Sequence, residues 1–297
     1  MYDILKFNII NSTPDINQEV MDYGVEMIGA PLEWSETMGE GIKVGVIDTG
    51  ADITHPDLKD RIKEYRNFTN EETDEDLNGH GTHVTGIIAA SYNGLGVVGV
   101  APKCDVYVAK AFKKDGTAEN LSISESLKWL IQKGVHVINM SFASDSPSEE
   151  IRRQIVRAYQ NGIILIAAAG NDGSLSHQGI GYPAKWKEVI AVTAVDIDHK
   201  HADFSSCGKE ALLAAPGKEI YSTFINNSYK ALSGTSMSTP LISGAAVLFQ
   251  SKAYKRFGRY LSPEEMRLML CMYADDFGEK GRDNCYGFGV FSFGRIK

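Results

Sequence analysis

The sequence predicts an α/β fold of three layers, with a mainly parallel central sheet between helices. Short β-branched runs (Val44–Ile47, Val106–Ala111, Val135–Met140, Ile163–Ala168 and Val189–Val195) alternate with stretches of helical pattern. These runs are continuously apolar, as strands are when buried on both faces, and that is the condition of a parallel sheet covered by crossover helices. No linker or internal repeat interrupts the 297 residues, which favours one such domain.

Capping signals mark the helices. Ser146-Pro147-Ser148-Glu149 reads as a capping box with Pro147 at the first helical position, and Gly162 follows the end of that helix. Ser262-Pro263-Glu264-Glu265 repeats the signal before a helix running towards Met272. Residues 1–18 show no clear period and stand apart as an arm before the domain 19–297.

The chain is 43% hydrophobic and 23% charged, with a net charge of −8, so it can build a sizeable core but offers no electrostatic footprint for nucleic acid or an anionic membrane. Its longest apolar run, Ile163–Ala169, falls far short of the roughly 20 residues that cross a bilayer. Lys6 and Asn8 interrupt the apolar stretch near the N-terminus, so no secretory signal is expected. Cys104, Cys207, Cys271 and Cys285 lack metal-ligand spacing. Reduced thiols in a cytoplasmic protein are the simplest expectation, with a Cys271–Cys285 bridge as the alternative.

Three motifs carry chemistry. Asp48 stands where the strand Val44–Ile47 runs out into Thr49-Gly50, and the carboxyl ends of strands are where open α/β sheets place their sites. A strand-end Asp alone is more often a cap or turn residue, so it needs corroboration. His80 opens a helix in Asn78-Gly79-His80-Gly81-Thr82-His83-Val84, whose paired histidines lack the Glu of an HExxH zinc motif. Ser236, in Ser233-Gly234-Thr235-Ser236-Met237-Ser238-Thr239-Pro240, sits at the start of an apolar helix. It could be a simple cap there, yet the unpaired N–H groups of a helix start also suit an oxyanion. The chain order Asp, His, Ser is that of subtilisin and not of chymotrypsin or the α/β-hydrolases.

The VIDTG, NGHGTHVTG and SGTSMSTP segments resemble the three signature blocks of subtilases, and the resemblance extends from about Tyr23 to Phe293. The YGVEMIGAPLEW and RNFTNEETDEDLNGHGTH stretches look most like bacterial intracellular subtilisins. The resemblance implies a subtilisin-like fold and a serine endopeptidase with Asp48, His80 and Ser236 as catalytic triad, and peptide or protein as substrate. It implies Asn171, in Ala168-Ala169-Gly170-Asn171, as side-chain oxyanion donor. Substrate would pair with Ser141-Phe142-Ala143 as an added strand, although the family usually has Gly where Ala143 stands. Ala168, Gly170 and Gly181 would line the primary pocket, with Asp172 near its mouth.

The resemblance further implies a structural Ca²⁺ held by Asp57 and Asn93, by the carbonyls of Ser91, Leu95 and Val97, and by Glu19 or Gln18, whereas an ordinary turn at Asn93-Gly94 is the alternative. A second family cation site is compromised by Leu212, which stands where a carboxylate is expected. Intracellular subtilisins also carry an inhibitory N-terminal extension. Here Ile4–Ile10 has the composition of a strand that could join the substrate edge, with Pro14 bending the chain beyond it, and a surface-packed terminus is the alternative. The acidic residues Glu71, Glu72, Asp74, Glu75 and Asp76 read as a solvated loop face, or else as steering for cationic substrates. The leading expectation is thus a cytoplasmic endopeptidase of broad or moderate specificity. A dedicated processing protease and an inactive peptide-binding pseudoprotease remain as alternatives.

Overall fold

Every predicted apolar run is a strand of one sheet. The computed structural model describes residues 2–4, 8–10, 18–174 and 179–295. Strands β1 (Tyr2–Ile4) and β2 (Asn8–Ile10) precede α1 (Tyr23–Met27), β3 (Lys43–Asp48), β4 (Ile62–Asn67) and α2 (His80–Ala89). There follow β5 (Asp105–Lys110), β6 (Thr117–Ala118), α3 (Asn120–Lys133), β7 (Val137–Met140), β8 (Phe142–Ala143), α4 (Glu149–Gln160), β9 (Ile164–Ala168) and β10 (Ile190–Val195). The chain ends with β11 (Ala211–Pro216), β12 (Ile220–Phe224), β13 (Ser228–Ser233), α5 (Thr235–Phe257), α6 (Pro263–Met272), β14 (Ala274–Asp275) and β15 (Val290–Phe291).

Among the described residues the main sheet has nine strands, ordered β14-β15-β11-β10-β9-β7-β3-β5-β4, all parallel except β14 at one edge. Alternate residues serve two cores. Val44, Val46, Ile164 and Ile166 face α2, α5 and α6, while Ile47, Leu165 and Ala167 face α3 and α4. Both faces are dry, which is why the runs show no polar alternation. β4 escaped the sequence reading because its pattern, Ile-Lys-Glu-Tyr-Arg-Asn, is that of a half-exposed edge strand.

Two sequence expectations need correction. The cap of α4 is Ser148, whose side chain accepts from the Ile151 amide, and not Ser146, so Pro147 precedes the helix. Cys207 and Cys285 form a disulfide, while Cys104 and Cys271 are free, so neither four thiols nor a Cys271–Cys285 bridge is found. The bridged pair lies 78 residues apart on two loops that only the tertiary fold brings together.

The cap of α6 is the predicted one. Ser262 accepts from the Glu265 amide and the Glu265 carboxylate accepts from the Ser262 amide, at 3.2 and 2.8 Å. Ser262→Ala should therefore cost about 1 kcal/mol in denaturant unfolding. An unchanged midpoint would show that Glu265 holds this helix start alone.

Candidate active site

Asp48 is the last residue of β3, and the imidazole at the start of α2 meets it. His80 Nδ1 lies 2.7 Å from Asp48 Oδ1, and both side chains are buried. The same oxygen accepts the Thr49 amide at 2.8 Å. A proton held on Nδ1 by this carboxylate fixes the tautomer and leaves Nε2 as the basic nitrogen. Close packing brings α2 to the strand end. A Cβ at Gly81 would lie 2.1 Å from the Gly50 carbonyl, so only glycine lets the helix start reach Asp48.

Ser236 is the second residue of α5, whose N-cap is Gly234, so its hydroxyl is not used as a cap. Its amide is one of the orphan donors of the helix start. Pro240 lacks an N–H, so the Ser236 carbonyl loses its usual helical partner. Ser141 Oγ donates to that carbonyl at 2.9 Å, and Ser236 Oγ donates to the Ser141 carbonyl, also at 2.9 Å. Behind Ser141 the buried chain continues through Asn139 Nδ2 at 3.0 Å to Ser243 Oγ, which donates to Asn139 Oδ1 at 2.8 Å. Asn171 Oδ1 accepts the Thr235 amide and hydroxyl at 3.0 and 2.8 Å, so its Nδ2 end is turned away from Thr235.

The expected pocket residues are drawn together by backbone bonds. The Gly181 amide donates to Ala169, and Ser144 and Tyr182 exchange bonds at 2.9 and 2.8 Å. Ala143 fits because residue 181 is glycine: a Cβ there would lie 2.9 Å from the Ala143 methyl. Ala168 is buried at the end of β9, and Gly170 lies beyond Ala169. Burial, with the Asp145 carboxylate nearby, raises the Asp172 carboxyl above the ordinary value.

Residues 39–289 match the family model described as the subtilase family. The chain belongs to that family. It is 39% identical over 274 residues to an intracellular serine protease of Paenibacillus polymyxa, covering 90% of this chain and 83% of that protein. It is 41% identical over 264 residues to subtilisin DY of Bacillus licheniformis, covering 88% and 94%. To the major intracellular serine protease of Bacillus subtilis it is 38% identical over 268 residues, covering 86% and 84%. It is therefore a subtilisin-like serine endopeptidase that hydrolyses peptide bonds. Among the described residues no helix is long and apolar enough to cross a membrane.

In this subtilase the N-terminal strands lie against the cleft. β1 runs antiparallel between β6 and β8, pairing Asp3 with Ala143 and Ile4 with Phe142. Tyr2 is buried, its ring edge-on to Phe142. β2 pairs with β13 up to Ser233, three residues before Ser236. Leu5, Lys6, Phe7 and Pro14, part of the expected arm, lie outside the described residues.

The acidic segment departs from a plain solvated face. Glu72, Asp74 and Glu75 are exposed, but Asp76 is buried and accepts from the amides of Gly79 and Thr82 at 2.8 and 2.9 Å, fastening the start of the His80 helix. Glu71 pairs with fully buried Lys110 at 2.9 Å, at the end of β5 beside Asp48. The sequence reading missed both. A lysine inside an apolar run was the available signal.

The residues implied for a cation also converge. Asp57 is buried and accepts from Asn93 Nδ2 at 3.0 Å, the Val97 amide at 3.0 Å and the Tyr229 hydroxyl at 2.9 Å. Glu19 accepts the amides of Asn93 and Gly94, both at 2.8 Å, while Gln18 is exposed. Among the described residues no basic side chain pairs with Asp57 or Glu19, and no protein donor reaches the carbonyls of Ser91, Leu95 or Val97. Asn93 Oδ1 accepts the Leu95 amide at 2.9 Å, and these carboxylate, amide and carbonyl oxygens are of the type that a hard cation takes. Leu212, by contrast, is buried in β11 among apolar side chains.

The second histidine of the motif is structural. His83 Nε2 lies 3.0 Å from the carbonyls of both Ile220 and Lys230, so it carries the proton of a neutral ring and is committed to protein partners. Burial, opposed by these carbonyls and aided by His80, pushes its pKa down to about 3. An unfolded histidine titrates near 6.5. The stability held by the neutral ring is therefore complete above about pH 6.5 and is lost as pH falls towards the folded value, at about 1.4 kcal/mol per pH unit. In a Ser236→Ala background, which prevents self-digestion, His83→Gln should flatten the loss of unfolding free energy between about pH 6 and pH 4. Parallel slopes would remove His83 from the acid sensitivity.

Proposed function

We propose that Ser236 attacks the substrate carbonyl while His80 takes its proton and Asp48 stabilises the imidazolium, giving an acyl-enzyme that water then cleaves. The 2.7 Å bond between the buried Asp48 carboxylate and His80 Nδ1 carries this reading. The Ser236 amide and Asn171 Nδ2 receive the oxyanion. In support, Thr235 fixes the Asn171 amide by its oxygen, which presents the nitrogen as donor. Substrate lies as a strand along Ser141-Phe142-Ala143, with its side chain in the pocket of Ala168, Gly170, Gly181 and Asp172.

We infer that residues 1–18 restrain the enzyme in the cytoplasm. The pairing of Asp3 and Ile4 with β8 supports this, because it uses the backbone groups a substrate strand would use. The relatives named intracellular support the location. The full chain and a form beginning at Gln18, each with and without Ser236→Ala, can be compared by fluorophosphonate labelling and peptide hydrolysis. The shorter form should label and turn over at once, the full chain only after a lag ending in N-terminal trimming, and the Ser236→Ala forms not at all. Labelling that survives Ser236→Ala sinks the nucleophile assignment; equal initial rates without trimming sink the restraint.

We further propose that Asp57, Asn93, Glu19 and the carbonyls of Ser91, Leu95 and Val97 hold Ca²⁺. The ion would neutralise the two carboxylates and tie the loop 91–97 to the start of the domain. A site present only in the native state stabilises it by about 2.7 kcal/mol at a hundredfold excess over Kd. In the Ser236→Ala background EDTA should lower the unfolding midpoint, and Asp57→Ala should abolish that sensitivity. Superimposable melts with and without chelator would refute the site.

A further inference from the structure

Away from the cleft, the structure gathers three side chains of soft-metal character. Cys207 and Cys285 are bonded to each other, and His201 Nε2 lies 3.4 Å from Cys207 Sγ. The ligand atoms of all three fall within 4.8 Å of one another, and all three residues are partly exposed. They belong to two loops, one between β10 and β11 and one before β15.

Bonds other than the disulfide hold these loops together. The Gly208 amide donates to the Asn284 carbonyl at 2.8 Å, and Thr193 Oγ1 donates to the Cys285 carbonyl at 2.6 Å. The His201 amide donates to the Tyr286 hydroxyl at 2.8 Å, and the two rings stand edge to face. Opening the sulfur bond would thus leave both thiols beside the imidazole. A tetrahedral Zn²⁺, with Zn–S of about 2.3 Å and Zn–N of about 2.0–2.1 Å, holds its sulfur and nitrogen ligands roughly 3.6 Å apart. The 3.4 Å between His201 and Cys207 is already close to that spacing.

We propose that Cys207, Cys285 and His201 form a Zn²⁺ site whose oxidised state is the disulfide. A dithiol reductant of the cytosolic class opens it. One reductant thiolate attacks a sulfur of the pair, and its second thiolate displaces the mixed disulfide. Two electrons thereby pass to the pair, which becomes two thiols, while the reductant closes to its own disulfide. Zn²⁺ then displaces the two thiol protons, and the two thiolates balance its charge. Water fills the fourth position, since the three side chains leave it open.

The location couples this site to the pocket. The Ser206 amide donates to the Gly170 carbonyl at 3.0 Å, the Asp172 amide to Ser206 Oγ at 3.2 Å and the Gly173 amide to the Phe204 carbonyl at 2.8 Å. The loop carrying Cys207 therefore backs the segment carrying Asn171.

Co²⁺ tests the site, because tetrahedral thiolate ligation gives it visible and near-ultraviolet bands. The full chain with Ser236→Ala is reduced, freed of reductant and titrated beside an unreduced sample. One Co²⁺ per chain should produce the bands in the reduced protein only, and Zn²⁺ should bleach them. Cys207→Ser and Cys285→Ser should lose them, His201→Ala should weaken binding at least about tenfold, and Cys271→Ser should keep them. The absence of thiolate bands in the reduced parent chain overturns the proposal without recourse to any variant at the site. Bands that survive Cys207→Ser, or that vanish in Cys271→Ser, overturn it equally.

Discussion

A parallel sheet dry on both faces confines polar chemistry to the carboxyl ends of its strands, and the site depends on that constraint. β9, β7 and β3 are neighbours in the sheet and end at Ala168, Met140 and Asp48. The residues just beyond or at those ends are Asn171, Ser141 and Asp48. Adjacent strands lie about 4.8 Å apart, so three consecutive ends set out a row roughly 10 Å across. Two helix starts, those of α2 and α5, face this row. Each supplies one side chain, His80 and Ser236, without any loop having to hold it.

A helix start that presents Ser236 must also satisfy its own backbone. Pro240 removes the donor that would have bonded the Ser236 carbonyl, and Ser141 Oγ replaces it from the residue between β7 and β8. The replacement ties residue 236 to the sheet and not only to its helix. Ser141, Asn139 and Ser243 form a buried polar chain in which each side-chain bond has a protein partner, so it adds order without an unpaired dipole. Asp76 does the corresponding work at α2, where it collects the amides of Gly79 and Thr82.

Legibility in the sequence followed burial. β3, β5, β7, β9 and β10 were readable because burial on both faces leaves an unbroken apolar run. Edge strand β4 was not, since none of its residues is fully buried. The cap of α6 was readable because Ser262 and Glu265 bond reciprocally, whereas before α4 two serines two residues apart compete and only the backbone course selects Ser148. Asp48, His80 and Ser236 were legible as motifs. Asp76 and Lys110 were not, because a charged residue is by default solvated and only the packed structure shows what pairs with it. The Cys207–Cys285 pairing depends on tertiary proximity, which spacing does not encode.

On the proposed restraint by residues 1–18, the energetics follow from connectivity. β1 and a substrate strand would compete for the same edge groups of β8, but β1 is covalently attached to the domain. A short tether gives an effective concentration of the order of millimolar, so a free peptide displaces it only when present well above its own affinity. The restraint is thus weak per contact yet strong in the intact chain. Cutting the tether between β1 and β2 would remove the local concentration of β1 at once, and the three residues of β1 are too few to hold a free peptide against the cost of ordering it. On that proposal one cleavage would switch the enzyme on, without any change in the geometry of Asp48, His80 and Ser236.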